Sequence, residues 1–166
     1  MSTSAGKSLA SAVGLDSTNL REARRFAVQF VYQCEVTQQT FFQENGLRTF
    51  LDQFSVPDVQ RPFVRDLVRL TLERLEEIDG IVEQASKNWK LSRIAKVDLA
   101  ILRVCTCELS ERPDVGEGVI LADAAEIGKQ YGSSASSGFV NGVLDAIAKR
   151  VRPASSKAST PSAPKA

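Results

Sequence analysis

Apolar residues along this chain recur every three or four positions, and no stretch shows the period-two alternation of a half-buried strand. The plainest run is Ala23, Phe26, Ala27, Phe30, Val31 and Cys34, which predicts a helix with one buried stripe. Asn19 followed by Glu22 has the form of a capping box, so this helix is expected to start at Thr18 or Asn19. Placing its residues at about 100° intervals sets Arg21, Arg25, Val28 and Tyr32 opposite the stripe, with Arg24 and Gln29 flanking them. The outward face is therefore expected to be basic and aromatic.

A different pattern runs from Lys96 to Leu109. Val97, Ala100, Ile101, Val104 and Cys105 make one face and Leu99, Leu102, Thr106 and Leu109 another, so apolar residues wrap most of the way round. Such a helix is buried on nearly every side and is predicted to be the central post of an all-α bundle. Pro113 ends it. Before it, Gln39 to Phe54 reads as helical, with Leu47, Phe50, Leu51 and Phe54 facing the core and Asn45-Gly46 as an interruption. Pro62 then opens a long stretch whose apolar track includes Phe63, Leu67, Leu70, Ile78, Val82 and Trp89, divided at Asp79-Gly80. After the post, Ile120, Ala124, Ile127 and Tyr131 mark a helix capped by Gly132, and Val140, Val143, Leu144, Ile147 and Val151 mark the last. Six or seven helices are expected in one domain over 18–152. A flexible arm over 1–17 precedes it, and a mildly basic tail over 153–166, too polar to offset its ordering entropy, follows.

Composition narrows the chemistry. The 166 residues are 43% hydrophobic and 25% charged with a formal charge of only +1, so attraction to nucleic acid must come from a local patch. Histidine is absent, which excludes any His-containing zinc site, and three cysteines are too few for a four-cysteine one. Cys34, Cys105 and Cys107 read as small hydrophobes in a reducing, cytoplasmic setting. No apolar run approaches the roughly 18 residues of a membrane span.

Catalysis lacks its parts as well. A nucleophilic Cys or Ser needs a positioned base, usually histidine. Glu76-Glu77 looks like a solvated helix face, and Gly116-Glu117-Gly118 is too short for a phosphate loop. A non-enzymatic protein without cofactors is expected. The sharper signal is the first helix, because single-stranded RNA is gripped by cations along its phosphates and by aromatics on which bases stack. Arg21, Arg24, Arg25 and Tyr32 supply both. Three arginines diluted by Glu22 and Glu35 also make an ordinary soluble surface, and the pattern alone leaves both readings open.

Three segments carry a resemblance. Arg21-Glu-Ala-Arg-Arg-Phe-Ala-Val-Gln-Phe-Val-Tyr32, then Trp89 ahead of Val97-Asp-Leu-Ala-Ile-Leu-Arg103 with Glu108-Leu109, and finally Phe139-Val-Asn-Gly-Val-Leu-Asp145 resemble the NusB family of transcription antitermination factors, in the same order. The resemblance implies an all-α fold of two helical subdomains that binds the single-stranded boxA element of nascent ribosomal RNA. It implies pairing with NusE, a small-subunit ribosomal protein, and joining NusA, NusG and RNA polymerase. Carried to matching positions, Arg21, Arg24 and Arg25 hold phosphates, Gln29 and Tyr32 lie beside the RNA, and Phe139 lies near the RNA and the partner surface. Phe139 reads equally as a core aromatic, Asn141 as a loop-satisfying residue, and Gly142 as a site of close helix approach. Leu20 stands where the family often extends its arginine cluster, and Ser134-Ala135 where it carries an acidic pair.

The function expected is an adaptor in which one helix grips RNA while another surface docks NusE, so that two weak contacts act as one tether. Two rivals remain. One is a protein-interaction module of the same fold without RNA binding. The other is the RNA-binding half of a ribosomal RNA cytosine methyltransferase, whose cofactor-binding sheet is not seen in these residues.

Overall fold

Seven α-helices and one short 3-10 turn make up the computed structural model, which describes residues 14–87 and 89–153; no strand occurs among those residues. The helices are α1 (Ser17–Val36), α2 (Glu44–Gln53), α3 (Arg61–Glu73), α4 (Leu75–Ala85), α5 (Lys96–Glu111), α6 (Glu117–Tyr131) and α7 (Ser136–Val151), with the 3-10 turn at Leu91–Arg93. Most of the expected arm and tail, 1–13 and 154–166, lies outside the described residues.

The central post is α5. Every residue from Asp98 to Leu109 is buried, and the helix packs against α1, α3, α4, α6 and α7. Apolar residues on all sides leave it no solvated face, and each fully buried aliphatic side chain there contributes about 1.5–3 kcal/mol. It joins two helical subdomains: α1 packs on α3 on one side, and α6 and α7 pack together with α4 on the other. Phe50 of α2 closes the first group by meeting Phe30 edge to face at 5.2 Å.

Two of the buried charged residues inside α5, Arg103 and Glu108, find partners, as burial requires. Arg103 donates to both carboxylate oxygens of Asp79 at 2.7 and 2.8 Å and to Glu35 at 2.9 Å. At the C-terminal end of the post, Arg152, which follows α7, donates to the backbone carbonyls of Leu109 at 2.8 Å and of Arg112 and Val115 at 2.6 Å. These are carbonyls of the last turn of α5 and the loop after it, which the helix itself leaves without partners.

Local boundaries differ from the sequence expectation for identifiable reasons. Asp16 caps α1, its Oδ1 accepting from the Asn19 backbone N–H at 2.8 Å, and Asn19 lies inside the helix, where its Oδ1 accepts from Gln60 at 2.9 Å. Asn45 and Gly46 belong to the first turn of α2 rather than interrupting it. The long stretch divides at Arg74, not at Asp79-Gly80, because Asp79 is held within α4 as the partner of Arg103. Trp89 lies beyond α4 and is 51% exposed instead of continuing its apolar track. Gly132 does cap α6, but with extended backbone; glycine is needed there because a Cβ would collide with Ser136 Oγ and the Gly128 carbonyl. Gly142 is exposed with nothing near its absent Cβ, so the close approach expected of it belongs instead to Gly128 and Gly132 at the α6–α7 corner.

Candidate nucleic-acid interface

The expected stripe of α1 is buried as predicted, and Val28 is buried with it, 4% exposed, against the expectation of an outward position. Its burial against neighbours narrows the outer face of α1 to a rim of Arg21, Arg25, Gln29 and Tyr32. Tyr32 is 38% exposed.

Arg24 is not part of that rim. Its side chain is fully buried, and its guanidinium donates to Glu108 of α5, through Nε at 2.6 Å and through Nη2, and to Asp123 of α6 through Nη1. Burial alone disfavours its charge, but the two carboxylates outweigh that and its pKa is raised. The expectation that Arg24 holds a phosphate is thereby corrected: its donors already have carboxylate partners in a seam closed to solvent. Two signals pointed to this. Arg24 sits at the flank of the helical wheel, and Glu108 is an acid inside a helix apolar all round, which requires a buried cation opposite.

Arg21 and Arg25 are oriented from α6. Arg21 Nε donates to Asp123 Oδ1 at 2.9 Å while its side chain stays 60% exposed. Among the described residues no other hydrogen bond engages that guanidinium, so its Nη groups remain available to an anion. Arg25 Nη1 donates to the Tyr131 hydroxyl at 2.8 Å, Nη2 donates to Glu22 at 3.2 Å, and the guanidinium lies 4.7 Å from the Phe26 ring centroid. Asp123 and Tyr131 are the positioning groups that sequence reasoning misses, since the spacing marks Tyr131 only as a core position of its helix.

Beside this rim an apolar slot of about 300 Å³ opens between α1, the start of α5 and α6, bounded by Arg25, Val28, Gln29, Tyr32, Ile127 and Tyr131. A second groove of about 300 Å³ lies further along α1, between Tyr32 and Val36 and the Phe50 and Phe54 side chains. Gln29 and Tyr32 border both. The Gln29 Oε1 is buried without a hydrogen-bond partner.

Phe139 stands apart from the arginines. Half-buried on α7, it packs against the core and meets Trp89 edge to face at 6.2 Å; the two rings line a separate cavity of about 220 Å³ with Arg93, Ile94 and Asp98. Asp98 Oδ1 is buried there without a hydrogen-bond partner. Val97 borders the slot and Asp98 this cavity, so the two lie on either side of the first turn of α5. Both Asn141 and Gly142 face solvent away from either.

Burial pushes the Cys34 and Cys107 thiols up to about 11 and raises that of Cys105 as well, so none is poised as a thiolate. Among the described residues no group of His, Cys, Asp and Glu is arranged to hold a metal, and no helix is long and apolar enough to cross a membrane.

Comparison with known proteins agrees along the chain. The NusB family model matches residues 21–149. The transcription antitermination protein NusB of Syntrophotalea carbinolica is 41% identical over 146 residues, covering 80% of this chain and 94% of that protein. Its counterpart in Acetivibrio thermocellus is 37% identical over 129 residues, covering 78% and 88%. The solved structure of T. maritima NusB superposes with a TM-score of 0.74 at 30% identity, over 82% of this chain and 96% of that one.

Proposed function

The chain belongs to the NusB family, and from that premise we propose that it is a non-catalytic antitermination adaptor in the cytoplasm, binding the single-stranded boxA element of nascent ribosomal RNA together with NusE. The observation that carries the reading is the α1 rim: two cations, Arg21 and Arg25, each oriented by a group on α6, next to a half-exposed tyrosine and an apolar slot. Preset cations meet phosphates with little reorganisation, and an exposed aromatic offers a stacking platform that tolerates a flexible strand. The cavity around Trp89, Phe139 and Asp98 offers NusE a separate surface, since exposed tryptophan beside a pocket is the usual anchor of a protein interface. RNA held on one side and NusE on the other are then tethered as one unit to the elongation complex of RNA polymerase, NusA and NusG.

The burial of Arg24 leaves two rim arginines instead of three, which favours the rival of an interaction module without RNA binding. One experiment separates them: binding of fluorescent boxA RNA at several salt concentrations, with and without NusE, against a scrambled RNA. Preference for boxA that strengthens with NusE supports the adaptor. Binding of NusE with neither RNA bound leaves the interaction module.

A further inference from the structure

Residues 87–96, from just past α4 to the first residue of α5, carry a charge pattern that neither the α1 rim nor the Trp89 cavity accounts for. Lys87, Lys90, Arg93 and Lys96 recur at every third position with no acid among them, and Leu91, Ile94 and Val97 recur at the same interval. Positions three apart stand one above the other in a 3-10 turn, so across Leu91–Arg93 the basic and apolar sets fall on different sides. Ile94 is buried and Leu91 and Val97 pack half-buried against the core, while all four cations are exposed. The backbone is held as well, the Arg93 N–H donating to the Lys90 carbonyl at 2.8 Å and that of Trp89 to the Ser86 carbonyl at 2.7 Å. The segment is a basic ridge fastened from beneath.

Elsewhere the molecule neutralises its cations. Arg61, Arg65, Arg69, Arg74 and Arg103 each sit against a carboxylate, whereas the four ridge side chains make no hydrogen bond or ion pair among the described residues. The other described cations of which this holds are Arg48 on α2 and Lys129 on α6. In a chain of formal charge +1, the uncompensated positive charge is therefore concentrated on one segment. Lys96 also opens α5, where a cation opposes the helix dipole, and no side chain caps that end. An anion beside it reverses both penalties.

We propose that the ridge is a second RNA contact, which holds the phosphate backbone of the strand flanking boxA without regard to its sequence. This rests on the reading of the chain as a boxA-binding adaptor and extends the RNA path beyond that element. Val97, next to Lys96, borders the same slot as Arg25 and Tyr32, so a strand leaving the α1 rim meets the ridge directly. Three of the four cations are lysines, compact charges on flexible stems that follow a mobile backbone; a protein carboxylate would favour the planar fork of arginine.

The test uses the full chain and three fluorescent RNAs: boxA alone, and boxA lengthened by eight nucleotides of arbitrary sequence at its 5′ or its 3′ end. One extension should steepen the slope of log affinity against log salt by about 2 to 3, at about 0.7 for each of three or four phosphates. In the triple variant Lys87→Gln, Lys90→Gln, Lys96→Gln that increment should fall below about 1, while the affinity for boxA alone and the urea midpoint stay unchanged. Replacing the same three residues by arginine should restore it. No gain from either extension, or an equal gain in the glutamine variant, overturns the ridge and leaves boxA binding, and with it the adaptor reading, intact. Absence of boxA binding overturns both. Weaker binding of NusE by the glutamine variant without RNA assigns the ridge to a protein surface and overturns it as well.

Discussion

Arg24 and Arg25 are neighbours in sequence and opposites in environment. The seam of α1 against α5 and α6 encloses Arg24 with Glu108 and Asp123 and excludes water; the rim one residue on presents Arg25 to solvent through a neutral hydroxyl and a weakly held glutamate. In the seam a cation without both carboxylates would be a buried, unpaired charge. At the rim it can exchange partners at little cost, since surface pairs are worth about 0–1 kcal/mol. Residue type therefore says little about role on this helix; the number of carboxylates facing the residue and the access of water decide it.

The contrast breaks first in the seam. Arg24→Met should destabilise the fold by about 3–5 kcal/mol, read as a fall in the urea midpoint at unchanged m-value, because it leaves Glu108 buried without its cation and Asp123 with only the exposed Arg21. Adding Glu108→Leu and Asp123→Leu should recover much of that loss. Failure to recover would assign the role of Arg24 to packing rather than charge. At the rim the effects move from stability to binding. Tyr32→Ala should weaken RNA binding by about 1–3 kcal/mol while the urea midpoint stays put. Replacing Arg21 and Arg25 together by alanine should flatten the slope of log affinity against log salt by about 1.4, at about 0.7 for each phosphate contact of a single strand. An unchanged slope would remove both from the RNA site. The smallest effect expected is that of Arg21→Ala on stability, within about 0.5 kcal/mol, since Asp123 keeps Arg24 as its partner. A loss approaching that of Arg24→Met would erase the distinction between seam and rim.

The bundle was legible because burial writes itself into period. The stripe of α1 and the all-round apolar surface of α5 were both visible as spacing, and both are buried in the structure. Boundaries were less legible where a side chain is committed elsewhere. Asp79 looks like a helix cap from its neighbours alone, yet it serves Arg103 on a helix 24 residues away in sequence. The same limit shaped the candidate site. Arg21 and Tyr32 are at the surface as the wheel predicts, but Arg24 lies only one flank away from them, and what removes it is a pair of acids 84 and 99 residues along the chain. Asp123 and Tyr131 escaped notice for the same reason: they matter through partners that only folding brings near.

The Arg152 clamp gives the chain a direction in time. During synthesis α5 leaves the ribosome some forty residues before Arg152, the residue whose guanidinium engages the carbonyls at the end of that helix. A nascent chain halted inside α7 can build the seam between α1 and α5 but not this closing contact. Completion of the core is thus coupled to translation of the domain's final turn.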